Sequence, residues 1–202
     1  MKKIQKILFI SLLISMAFSA ASQEKSTLEK EKTALLIIDV QMFYFPEGQV
    51  PLVHPEKTSL RIKELLDAFR EKNMEVIHIR HDVSKNAKIH PNVQPLDNET
   101  VITKSEANSF NGTELNTYLK THDITDLVIT GMQTHMCVEA TARAAYDLGY
   151  NCIIGADAAT TRDLTYNGKR IKAEDVHYST LSTLHNSYGK VKNVDEILKI
   201  IH

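Results

Sequence analysis

From Thr33 onward, short apolar runs alternate with amphipathic stretches. Ala34-Leu35-Leu36-Ile37-Ile38 is continuously apolar and stops at Asp39, the pattern of a strand buried on both faces. Residues 60–69 place Ile62, Leu65, Leu66 and Phe69 at helical spacing, and Asn73 breaks that pattern. Glu75-Val76-Ile77-His78-Ile79 reads as the next strand. Val101-Ile102-Thr103 is a weaker one after a loop containing Pro91 and Pro95. Thr113 is placed to cap a short helix carrying Leu115, Tyr118 and Leu119. Leu127-Val128-Ile129-Thr130 is a further strand, stopped by Gly131. Residues 136–148 read as a helix with Val138, Thr141, Ala142 and Ala145 on one face, and Gly149 is placed to end it. Cys152-Ile153-Ile154 follows as a strand in which Cys152 is a packing residue. A helix over 172–184, an edge strand at Lys190-Val191 and a closing helix over 194–201 complete the pattern.

Strands alternating with helices predict a mostly parallel sheet covered on both faces, an α/β three-layer αβα sandwich. Right-handed crossovers make it doubly wound and Rossmann-like. In such folds ligands gather beyond the carboxyl ends of the strands, near the point where strand order reverses. Chemistry should be sought there.

The first residues follow a different logic. Lys2, Lys3 and Lys6 precede an apolar run over residues 7–18, and Ser19, Ala20, Ala21 and Ser22 follow it. A positive front, a short apolar segment and a small-residue exit form the pattern of a secretory signal peptide. The run is shorter than the ~20 residues a bilayer-spanning helix needs. The expected organisation is a signal peptide over 1–21, a polar leader over 22–32 with no core-forming pattern, and one domain over 33–202. The mature protein is expected to be exported, periplasmic or secreted, without stable membrane association.

The 202 residues suit one domain of ordinary composition. The formal net charge is −1, and no basic stripe is interleaved with aromatics, so nucleic acid is not an expected partner. Two cysteines, Cys137 and Cys152, are too few for a disulfide-held secreted scaffold.

Three reactive groups fall at successive strand ends: Asp39 after the first, Lys104 after the third and Cys137 just past the fourth. A thiol in the first turn of a helix meets unpaired N–H groups and the positive end of the dipole, which should lower its pKa and favour thiolate. The same N–H groups can bind an oxyanion once a carbonyl is attacked.

These segments resemble one family. Residues 35–41 (Leu-Leu-Ile-Ile-Asp-Val-Gln), 104–110 (Lys-Ser-Glu-Ala-Asn-Ser-Phe), 131–140 (Gly-Met-Gln-Thr-His-Met-Cys-Val-Glu-Ala) and the stretch 141–158 resemble the isochorismatase-like cysteine hydrolases. The resemblance implies about six strands in the order 3-2-1-4-5-6. It implies Asp39 as the group that takes the thiol proton, Lys104 as its partner and Cys137 as nucleophile. It further implies a cis peptide at Met132–Gln133 and an oxyanion hole from the backbone N–H groups of Gln133 and Cys137. The expected activity is cleavage of a carbon–nitrogen bond in a small amide, lactam or ureido substrate through a thioester. No cofactor is implied, and relatives commonly form homo-oligomers.

Departures narrow the choice. Cys137 argues against vinyl-ether cleavage by isochorismatases proper, which lack it. No Asp-x-His element follows Asp39, so nicotinamidase activity and a bound metal are not expected. His78 and His81 point to opposite faces of a strand, which suits core packing for His78 and a loop or pocket-rim place for His81. Phe43, Tyr44 and Phe45 either wall a substrate pocket or cover the end of the sheet. Asn108 and Phe110 either line the crevice or support Lys104 structurally, and His135 sits at the rim or in solvent. Two non-hydrolytic readings stay open: a thiol protein that scavenges oxidants, and a binder on the same fold. No nucleotide-binding, dithiol or metalloprotease motif is present.

Overall fold

A computed structural model describes residues 27–83 and 87–201. The expected signal segment, 1–21, and the first part of the polar leader lie outside the described residues. In chain order the elements are β1 (Thr33–Ile38), α1 (Pro55–Glu71), β2 (Glu75–His81), β3 (Thr100–Lys104), α2 (Leu115–Thr121) and β4 (Asp126–Met132). They continue with α3 (Glu139–Asp147), β5 (Asn151–Thr160), β6 (Leu164–Tyr166), β7 (Lys169–Ile171), α4 (Ala173–Leu184), β8 (Lys190–Lys192) and α5 (Val194–Leu198).

Six strands form one sheet in the order β3-β2-β1-β4-β5-β8, and every neighbouring pair is parallel. The doubly wound topology is the expected one. Its outermost strand is the eighth in the chain because an antiparallel hairpin, β6–β7, intervenes. That hairpin turns through Asn167 and Gly168, both at positive φ, an Asn-Gly turn signal of the ordinary two-residue kind.

All six residues of β1 are buried, because it lies mid-sheet with helices above and below. Leu35 and Ile37 pack with Ile62, Leu65, Leu66 and Phe69 of α1 and with Val194 and Ile197 of α5. Ala34, Leu36 and Ile38 pack with Leu115 and Leu119 of α2, Ala142 and Ala145 of α3, and Leu181 and Leu184 of α4. Each fully buried Leu or Ile contributes roughly 1.5–3 kcal/mol, so these two alternating faces supply much of the driving force. Gly131 allows β4 to approach β1 closely. A Cβ there would lie 2.0 Å from the Ile38 carbonyl oxygen, and φ is +126°.

The packed part of the chain begins before Thr33. Leu28, within the stretch expected to be a featureless leader, is buried, bridges to Ile201 and donates its N–H to Ile200 O at 2.8 Å. The closing helix is correspondingly shorter than expected, since Ile201 leaves it to make that bridge. The helix expected from residue 136 also starts later. Thr134–Val138 form a π-helical turn, and α3 proper begins at Glu139.

β5 is longer than the apolar run that signalled it. Between Ile129↔Ile154 and Gly131↔Ala159 the pairing with β4 is irregular, with extra residues on β5, and the strand then returns to pair Thr160 with Met132. This excursion carries the end of β5 up to the turn that follows β4.

Candidate active site

The strand order reverses between β1 and β4, and the residues following those two strands meet there. Asp39 leaves β1 at φ 52°, a left-handed conformation that Asp tolerates better than most side chains. Its N–H donates to Ile79 O at 2.9 Å, and its carbonyl accepts from Gln41 N at 2.8 Å. Lys104 is the last residue of β3, in register with His81 of β2. Its ammonium lies 2.7 Å from Asp39 Oδ2, 3.2 Å from His81 Nδ1 and 2.9 Å from Glu106 O. Three donors thus find three partners. Asp39 is hydrogen-bonded by Lys104 and by the Cys137 thiol, two donors for a carboxylate that can accept more. The Cys137 thiol interacts with both Asp39 and Lys104. The three groups expected to converge do so, with Asp39 fully buried and Cys137 only 4% exposed.

Electrostatics corrects one expectation. Burial pushes the thiol up to about 12, with the negative charge of Asp39 acting in the same direction and Lys104 opposing. The helix-terminal setting was expected to lower it. Desolvation and a neighbouring carboxylate outweigh the partial charge of the helix end. Burial also raises the Asp39 carboxyl above its ordinary range, against the pull of Lys104. The thiol is therefore held neutral, beside an Asp39 carboxyl of heightened proton affinity.

The peptide Met132–Gln133 is cis. The Gln133 carbonyl accepts from Met136 N at 3.1 Å and Val138 N at 3.2 Å, passing over the Cys137 N–H between them. The Gln133 side chain is 4% exposed, and its Nε2 donates to Tyr44 Oη at 3.3 Å. Tyr44 follows β1 in a 3-10 turn, Met42–Tyr44, and burial raises its phenol, which stays protonated.

The remaining expected residues divide. Tyr44 reaches the site, whereas Phe45 stacks on His90 with centroids 3.8 Å apart and Phe43 packs against Tyr44. His135 is half-buried, with Nδ1 2.6 Å from Thr161 Oγ1, and its pKa is lowered by burial and by Arg162. Asn108 accepts from Phe110 N, and the Phe110 ring stacks on Tyr150, which precedes β5 at the opposite end of the strands. These two support the loop after β3. His78 lies in the core and bonds Glu99, as expected of a packing residue.

Sequence reading missed three contributors, Gln41, Thr161 and Arg162, and placed a fourth, His81, no nearer than a loop or pocket rim. His81 touches Lys104 directly. Gln41 is fully buried and clamps the end of β2, accepting from His81 N at 2.7 Å and donating to His81 O and Ala87 O. Thr161 and Arg162 follow β5 and border the site because of the irregular β4–β5 pairing. Only Gln41 carried a local signal, as the residue two past the strand-end aspartate. Among the described residues no group of three or more His, Cys, Asp or Glu is arranged to hold a metal. A cavity of about 580 Å³ lined by Leu28, Tyr146, Tyr150, Cys152 and Lys190 lies at the amino end of β5 and touches none of the three reactive groups.

An isochorismatase domain profile matches residues 33–183, which is most of the chain. The chain belongs to the isochorismatase family. Against YddQ of Bacillus subtilis (strain 168), itself an isochorismatase family protein, it is 39% identical over 178 residues, covering 83% of this chain and 99% of the relative. The crystal structure of an isochorismatase-type hydrolase from Oleispira antarctica superposes with a TM-score of 0.81 at 38% identity, covering 85% of this chain and 98% of that one. A streptothricin hydrolase of Streptomyces noursei is 31% identical over 140 residues, 65% of this chain and 50% of that protein. The protein is thus an isochorismatase-family hydrolase whose fold matches its solved relatives.

Proposed function

We propose that this hydrolase cleaves the carbon–nitrogen bond of a small amide, lactam or ureido compound through a thioester on Cys137. The observation that carries this reading is the buried meeting of the Asp39 carboxylate, the Lys104 ammonium and the Cys137 thiol. Asp39 takes the thiol proton as sulfur attacks the carbonyl carbon, so the thiolate need not exist before substrate arrives. The raised proton affinity of Asp39 reduces the mismatch with a thiol at about 12. Lys104 balances the charge that moves to sulfur. The N–H groups of Gln133 and Cys137 receive the tetrahedral oxyanion.

Asp39 then returns the proton to the leaving nitrogen, releasing ammonia or amine and leaving an acyl thioester. Water, deprotonated by Asp39, attacks the thioester, and the thiol recovers its proton as the acid departs. One water is consumed for each bond cleaved. A buried neutral thiol suits this induced proton transfer better than oxidant scavenging, which favours exposed, low-pKa cysteines.

The test is ammonia release from small amides and ureido compounds, with mass spectrometry of quenched enzyme for the acyl adduct. Cys137→Ala should abolish both. Turnover that survives this substitution overturns the proposal. The amino-terminal pattern of charge, apolar run and small residues supports export. A mature protein shortened near Ala21 in cell-surface or medium fractions would bear that out, and an intact amino terminus confined to the cytoplasm would refute it.

A further inference from the structure

The turn that carries Cys137 is held from outside by one imidazole. Thr134 opens that turn and is fully buried, and among the described residues its hydroxyl has one partner, His177 Nδ1 of α4 at 2.9 Å. A buried hydroxyl left unpaired is costly, so this bond fixes where the turn begins. The same ring hydrogen-bonds the backbone of Ala156. Ala156 lies in the excursion of β5, between Ile154 and Ala159, where the ladder to β4 lapses. A backbone group that has left its ladder needs another partner, and His177 supplies it. Burial holds the imidazole below its ordinary 6.5, hence neutral, so Nδ1 accepts the Thr134 proton while the other nitrogen donates to the Ala156 carbonyl.

The turn's backbone couples that bond to the nucleophile. The Thr134 carbonyl accepts from Glu139 N, and the Gln133 carbonyl accepts from Met136 N and Val138 N. Cys137 N–H stands among these bonds, so a tilt of Thr134 tilts the Cys137 N–H and thiol together. An N–H aimed at an oxyanion tolerates little misplacement: about 1 Å can cost about 10²-fold in rate. We infer that His177 is a positioning residue for the nucleophile turn, its bond to Thr134 setting the direction of the Cys137 thiol and N–H toward the carbonyl under attack. His177 acts through Thr134 and touches no reacting atom. The alternative is plain packing, since the ring also meets Tyr178 edge-on. Packing follows ring volume, whereas positioning follows the place of the acceptor atom. The inference rests on the hydrolytic reading for the reaction it serves, although its effect on Cys137 can be read without turnover.

The experiment replaces the ring with side chains that keep one of its features. Asn places Oδ1 where Nδ1 sits, Gln reaches toward the other nitrogen, and Phe keeps only the ring. In ammonia release from propionamide, butyramide and valeramide, His177→Phe and Thr134→Val should each lower kcat by about 10–100-fold with KM nearly unchanged. The double variant should be no worse than the poorer single one, because both remove the same bond. His177→Asn should recover most of the loss and His177→Gln little of it. The Asn–Gln contrast decides the question even if the Phe variant does not fold. Losses graded by side-chain volume, with Phe the mildest, or additive losses in the double variant, overturn the inference while leaving the hydrolase reading intact. Carbon-13 NMR with [1-13C]butyraldehyde separates the two readings. The Cys137 sulfur bonds to the aldehyde carbon, the C=O π pair moves to oxygen and the thiol proton ends there, giving a thiohemiacetal resonance that Cys137→Ala lacks. Its dissociation constant should rise about 10-fold in His177→Phe and return toward the wild-type value in His177→Asn, which upholds the positioning role even where no amide is turned over. An adduct of equal affinity in every variant, or none in the wild type, overturns it.

Discussion

Two buried acid–base clusters, one where α1 meets β2 and one at the carboxyl ends of β1 and β3, are treated in opposite ways. Glu99 is 8% exposed at its side chain and is saturated: Arg70 donates twice, His78 Nε2 lies at 2.9 Å and Leu96 N at 2.9 Å. These bonds outweigh burial and hold its carboxyl down to about 2. Asp39 has fewer donors, Lys104 and the Cys137 thiol, and its carboxyl is raised by burial. A carboxylate whose lone pairs are all engaged fixes structure. One left under-satisfied keeps proton affinity for chemistry, at a cost in stability. The Glu99 cluster ties α1, β2 and the loop before β3 together, and the Asp39 cluster holds open a reaction site.

The sharpest way to break the comparison is to exchange roles by mutation. Cys137→Ala should lower amide turnover by about 10⁴-fold or more, with thermal melting little changed, because no buried charge loses its partner. Glu99→Gln should do the reverse. Removing the anion beneath Arg70 should cost about 3 kcal/mol in denaturant unfolding while kcat stays within a few-fold. A large loss of kcat in Glu99→Gln would mean that the two clusters are coupled.

Acid titration separates them without mutation. Asp39 must be ionised to accept the thiol proton, and its folded pKa is raised, so the acid limb of kcat should lie above the ordinary carboxylate range. Glu99 has a depressed folded pKa, so its contribution to stability is full above its unfolded value of 4.5 and is lost as pH falls toward about 2. His78 is held below its ordinary 6.5 chiefly by burial, and its contribution also falls as pH drops beneath that value. Activity should therefore disappear before the acid unfolding transition seen by circular dichroism. Coincidence of the two transitions would collapse the distinction.

A smaller effect is expected at His81. His81→Leu removes one acceptor from Lys104 and should lower kcat by about 10-fold, with His81→Asn recovering part of it. Equal losses in both variants would mark the imidazole as packing only.

Much of this was legible along the chain. The run 34–38 ending in Asp39 and the run 127–130 ending in Gly131 marked the two central strands, and their reactive followers occupy the reversal point. Sequence reading stopped where contacts were set by register. Leu28 looked like part of a polar leader because its partner, Ile201, is at the other end of the chain. The spacing of Phe110 from Lys104 leaves crevice lining and structural support both open, and only its stacking on Tyr150 decides for support. Arg162 lay beyond the apolar run of β5, and only the irregular pairing with β4 carries it to the site.

The sequence by itself determined the alternation of strand and helix, hence the doubly wound sheet and the edge at which Asp39, Lys104 and Cys137 gather. Periodicity is a property of neighbours in the chain and survives in one dimension. The tertiary structure alone decided that the thiol rests protonated, that Lys104 leans on His81, and that Thr134 meets His177 of α4. Desolvation and side-chain pairing depend on what distant segments bring into contact, and no local pattern encodes that.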